Sequence, residues 1–162
     1  MPVRPTDFDL IPRIQRVFAD GPPNGWLLGW DENRGFVELK RVAYPWLVEN
    51  CTSFDYAFCN WFDIACRIDS DSNEYILGVF TSFIADYYQL FWTRLDRGRK
   101  RAEVVPEVVE MSGVHAAVVE WLHRRGFSSV PPEFDGRIVP GVELELSEPD
   151  EVTVDKCLFR DH

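Results

Sequence analysis

The residues of this 162-residue chain whose types and spacing could do chemistry begin with Asp69, Asp71 and Asn73, which alternate like the oxygen ligands at the start of a calcium loop. The pattern breaks at once. Glu74 stands where the sharp turn requires glycine, and Phe80 where a bidentate carboxylate is required, so the segment reads as a solvated hairpin turn. Three histidines, His115, His123 and His162, stand outside H-E-x-x-H and outside any Cys–His zinc spacing. On one helix His115 and His123 project about 80° apart at roughly 100° per residue, which makes no chelating pair. Cys51, Cys59, Cys66 and Cys157 lack C-x-x-C spacing and are expected as reduced, buried thiols. Neither a metal nor a cofactor is expected. The chain has no G-x-S-x-G elbow, no cysteine-protease signature and no glycine-rich phosphate loop, so no catalytic residue is assigned.

Charge is the stronger signal. With 17 Lys and Arg against 27 Asp and Glu, the formal net charge is −10, a field that repels phosphate backbones and anionic lipid and attracts basic partners. The run Arg94, Arg97, Arg99, Lys100, Arg101 reverses that sign locally. It reads as a charged turn protecting an edge strand, not as a nucleic-acid contact. Acidic residues gather toward the C-terminus: Asp135, Glu143, Glu145, Glu148, Asp150, Glu151, Asp155 and Asp161. In Val142-Glu143-Leu144-Glu145-Leu146 the alternation turns Val142, Leu144 and Leu146 inward and both glutamates outward.

The elements that must position these groups follow from periodicity and punctuation. A helix is expected at about 9 to 19, with Asp9 as N-cap and Ile14, Val17 and Phe18 in its stripe. After Gly21-Pro22-Pro23-Asn24-Gly25, Trp26 and Trp30 lie between glycines, and a strand is expected at 36 to 42. Dense Tyr, Phe, Trp, Ile and Val then predict antiparallel strands at about 56 to 68, 74 to 82, 86 to 95 and 100 to 105. The clearest helix is 113 to 125, with Ser112 as N-cap, Gly126 at C′ and Phe127 completing a Schellman contact. Val142 to Leu146 and Val152 to Phe159 read as a terminal hairpin. Segregated helices and consecutive strands predict an α+β fold, a mainly antiparallel sheet of about five to seven strands with two helices on one side, over residues 1–162 as one domain.

Hydrophobic residues at 46% and aromatic residues at 14% give a packed chain rich in ring contacts. No apolar run approaches the roughly 20 residues of a membrane span and the start lacks a signal-peptide core, so a cytoplasmic protein is expected. The functional expectation is a non-enzymatic acidic binding domain, an immunity- or antitoxin-like inhibitor of a basic protein. Its expected contact residues are Trp26, Trp30, Glu143, Glu145, Asp150 and Glu151. The alternative is a small enzyme or small-molecule binder with a pocket between the aromatic sheet and the helix at 113 to 125, lined by Tyr87, Tyr88, Trp92 and His115.

Overall fold

A computed structural model describes residues 9–66, 73–96, 101–106, 108 and 111–162. Its centre is a sheet of β1 (Leu47–Asn50), β2 (Cys59–Cys66), β3 (Asn73–Ser82), β4 (Tyr87–Asp96) and β5 (Arg101–Val105), antiparallel neighbours in sequence order. A sixth strand, β6 (Ser128–Ser129), pairs in parallel with Tyr87 and Tyr88, on the β4 edge that β5 occupies further along. The strands expected between 56 and 105 therefore appear, and the fold is α+β. Residues 69–72 of the expected acidic turn, and 97–100 of the basic run, lie outside the described residues.

Alternation sends successive strand residues to two different cores. On one face, Phe62, Ile64, Leu77 and Val79 are fully buried under α3 (Phe36–Val42) and α4 (Ser112–Arg124), through Leu39, Val118 and Leu122. On the other, Cys59, Phe80 and Tyr87 pack against α1 (Leu10–Val17) and α5 (Val154–Leu158), through Leu10, Ile14, Cys157 and Leu158. Helices thus cover both faces, and the two expected ones, α1 and α4, lie on opposite faces. Tyr87 and Tyr88 belong to opposite cores, which explains the poor alternation of that strand.

The α4 terminus is the expected Schellman motif. Gly126 N–H donates to His123 O at 3.0 Å and Phe127 N–H to Leu122 O at 3.0 Å, with Gly126 at φ 87°, where a side chain would be strained. At the other end Met111, not Ser112, is the N-cap, and Asp9 caps α1 without a side-chain hydrogen bond. Glu38 joins α3 to α4 by accepting from Trp121 Nε1 at 3.2 Å and Arg125 at 2.9 Å. Those two hydrogen bonds hold its carboxyl below the usual range.

Two expected strands are helices. In FVELKRV, Phe36, Leu39 and Val42 recur at helical spacing, Glu38 lies in the first turn and Lys40 and Arg41 in the last, matching the helix dipole. β-branched and aromatic residues had pointed to a strand, but tertiary burial of Leu39 decides for the helix. The terminal hairpin is absent as well. Val142 and Leu144 are buried and Glu143 and Glu145 exposed, as alternation demands, yet that segment forms no strand and Leu146 is exposed. Residues 152–154 instead meet 137–139, through Val139 N–H to Val152 O and Val154 N–H to Arg137 O. Thr153 then accepts from Lys156 N–H at 3.3 Å and starts α5.

Candidate functional site: an acidic aromatic cleft

Two chain segments far apart in sequence build a cleft lined by acidic and no basic side chains. Residues 56–58 and 159–161 run antiparallel, joined by Phe58 N–H to Phe159 O at 2.7 Å and Asp161 N–H to Tyr56 O at 2.9 Å. The clip brings Asp55 and Tyr56 beside Asp161, and Asp161 accepts the Leu146 N–H at 2.7 Å and the Ser147 hydroxyl at 2.6 Å, drawing Glu145 to the same place. The cleft encloses about 410 Å³, with Phe54, Phe58 and Pro22–Asn24 completing its wall.

Its three carboxylates differ in how they are held. Asp161, only 3% exposed, accepts from two neutral donors; Asp55 accepts from the Ser53 hydroxyl at 3.2 Å and from Trp26 Nε1 at 3.1 Å. Glu145 is exposed and makes no side-chain hydrogen bond among the described residues. No lysine or arginine lines the cleft. Three carboxylates thus line this concavity with no basic side chain in its wall, and Lys156 reaches Asp161 only through the Ser147 hydroxyl.

Apolar surface adjoins it. Trp26, 46% exposed, packs edge-on against Phe54 at 4.8 Å, on the short helix α2 (Gly25–Leu28), where Leu27 and Leu28 are also exposed. Tyr56, at φ 56°, and Leu146 project beside the carboxylates. The position of α2 is fixed from below by rings. Trp30 stacks on Phe83 at 4.7 Å and 2°, and Phe54 meets both edge-on. The Arg34 guanidinium covers the far side of Phe83 at 3.7 Å. Arg34 donates to Asn60 Oδ1 at 3.0 Å and to the Thr81 and Ser82 carbonyls at 3.1 Å, while fully buried Asn60 returns hydrogen bonds to the Asp31 and Glu32 carbonyls. Burial first, then the charge of Arg125, brings Arg34 down to about 10, still protonated at neutral pH.

Of the sequence-derived contact residues, Glu145 lines the cleft and Trp26 borders it through Asp55. Trp30 is a partly buried member of the ring stack. Glu143 is exposed outside the cleft lining, as are Asp150 and Glu151, where Glu151 accepts the Glu148 N–H at 3.4 Å as part of a capping box. Sequence reasoning missed Asp55 and Tyr56, for which the only signal is polar residues between Phe54 and Phe58 ahead of a strand.

The alternative pocket exists in part. Tyr88 and His115 share a cavity of about 480 Å³ with Asp135 and Asp155, between β4 and α4. Tyr87 and Trp92 are buried in opposite cores and do not line it. The Tyr88 hydroxyl lies 3.4 Å from His123 Nε2. Burial, and then the charge of Asp135, raises the Asp155 carboxyl above its usual range.

All four thiols are free, and burial pushes Cys59, Cys157 and Cys51 up to about 12 and Cys66 to about 11, so none is poised as a nucleophile. Among the described residues no His, Cys, Asp and Glu cluster could hold a metal ion, and no helix is long and apolar enough to cross a membrane. The chain matches no protein-family model, no curated protein and no solved structure.

Proposed function

We propose that this chain is a non-enzymatic binding protein whose acidic cleft receives a lysine or arginine side chain of a basic partner protein, as an immunity- or antitoxin-like inhibitor acting in the cytoplasm would. One observation carries the reading: Asp55, Glu145 and Asp161 converge in a cleft that no lysine or arginine lines, beside the half-exposed rings of Trp26 and Tyr56. A cation entering the cleft gains what the fold leaves unpaired, and the rings and exposed leucines of α2 supply apolar contact around it. The overall charge of −10 adds long-range steering, which accelerates encounter with basic proteins and disfavours nucleic acid and anionic membranes.

The test is affinity capture from source cells at low and moderate salt, run in parallel with Glu145→Lys and Glu143→Lys. A basic protein retained in stoichiometric amount, lost with salt and with Glu145→Lys but kept by Glu143→Lys, is the expected result. Equal loss in both variants would reduce the cleft to bulk charge. Retention unaffected by Glu145→Lys would overturn the assignment.

A second reading has a specific observation behind it, the shared cavity of Tyr88, His115, Asp135 and Asp155. It describes a small-molecule pocket of ordinary size with a mixed polar and apolar lining. Among the described residues no hydrogen bond links His115 to either aspartate, so the reading stops at binding.

A further inference from the structure

Arg160 and Asp161 are consecutive, yet they line different clefts. The Arg160 side enters a groove of about 480 Å³ between β4, β5 and α5, and its chemistry is the reverse of the acidic cleft. The floor is aromatic: Phe80 meets Phe91 edge-on at 4.9 Å and Phe159 at 5.9 Å. Phe91 lies directly over Gly78, where an added Cβ would fall 2.2 Å from the ring, so the strand keeps its side chain out and the ring lies flat on the sheet. Val104, 75% exposed on β5, forms the open rim.

Two cations stand over that floor. The Arg160 guanidinium stacks 4.5 Å above the Trp61 ring and makes no side-chain hydrogen bond or ion pair among the described residues. Stacking fixes the plane and leaves the N–H fork free, which is the arrangement that recognises a carboxylate or sulfonate. Lys156 donates one N–H to the Ser147 hydroxyl at 3.0 Å and keeps two. Arg160 and Lys156 line the groove with one carboxylate, Asp155, while a second, Asp63, feels the charge of Arg160 from beyond the lining, beside Trp61.

In a chain of net charge −10, two cations gathered at a groove with an aromatic floor, of which Phe91 is partly exposed, are not explained by solubility. We propose that this groove binds an amphipathic organic anion, a carboxylate or sulfonate on an aryl or acyl body. The acid group sits at Arg160 and Lys156 and the body lies over Phe91 and against Val104, above the buried rings of Phe80 and Phe159. The groove and the acidic cleft share the Ser147 hydroxyl, which accepts from Lys156 and donates to Asp161.

The probe is 8-anilinonaphthalene-1-sulfonate, titrated by fluorescence into the folded protein, with decanoate and decanol as competitors. Expected are one saturable site, displacement by decanoate at concentrations where decanol is inert, and affinity about tenfold weaker in Arg160→Gln, the size of one lost charge-assisted hydrogen bond. Val104→Glu changes an exposed residue, preserves the fold and places a carboxylate at the rim; it too weakens binding. Circular dichroism and melting verify that both variants remain folded. Unsaturable binding, equal displacement by decanol, or unchanged affinity in both variants would overturn the proposal.

Discussion

The two faces of the sheet are closed by different means. Over the face of Phe62, Ile64, Leu77 and Val79 lie α3 and α4, whose periodic stripes leave the strand residues fully buried. Over the other face lie short α1, the five-residue α5 and irregular chain around 130–146, and strand residues such as Trp61, Ile76, Phe91 and Thr93 remain partly exposed. The longer α4 buries the centre of its face, although a cavity of about 480 Å³ remains between β4 and α4; irregular chain leaves grooves on the other face. Both the acidic cleft and the Arg160 groove take walls from this second covering, so both proposed sites fall on the less regularly covered face.

The largest expected effect contrasts the faces directly. Leu122→Ala under α4 empties a fully buried site and costs about 2–5 kcal/mol in urea unfolding. Ile76→Ala, partly exposed on the other face, costs about 1 kcal/mol. Equal costs would break the contrast.

Next is the polar junction between the ring stack and the sheet. Asn60→Ala removes the acceptor of Arg34 and the donor to the Asp31 and Glu32 carbonyls, leaving buried groups unpaired at a cost of about 1–3 kcal/mol. Because the 31–35 turn follows α2, tryptophan fluorescence should also change in the folded variant. A fluorescence spectrum identical to that of the native chain would show that α2 is held by its rings alone.

A smaller effect tests Asp155. Its carboxyl is raised in the folded state by burial and by Asp135, so between the ordinary carboxylate value and the raised one the folded chain binds more protons than the unfolded chain. This contribution therefore falls as pH rises through that window and stays unfavourable above it. Asp155→Asn should raise the melting temperature at pH 7, and the gain should shrink as pH falls into the carboxylate range. A gain constant across pH would place its origin elsewhere.

Much of this was legible in sequence wherever one physical signal acted alone. Strands β2 to β5 followed from dense β-formers between turns, and the end of α4 from Gly126 and Phe127. Residues 36–42 and 152–159 misled because β-branched residues there coincide with helical spacing of Leu39 and of Val154, Cys157 and Leu158, and burial decided between the two. The cleft was half legible. Glu145 followed from alternation and Trp26 from its glycine-flanked setting. Asp55 and Tyr56 become site residues only when the 56–58 and 159–161 backbones pair across a hundred residues, which no local pattern announces.

The most direct measurement is a ¹H–¹⁵N NMR titration of the folded chain with a triarginine amide peptide. The account predicts saturable shifts concentrated at Trp26 Nε1–H, Asp55, Tyr56, Leu146 and Asp161, abolished by Glu145→Lys and retained in Glu143→Lys. Shifts spread evenly over acidic surface residues, or unchanged by Glu145→Lys, would contradict a cationic side chain seated in that cleft.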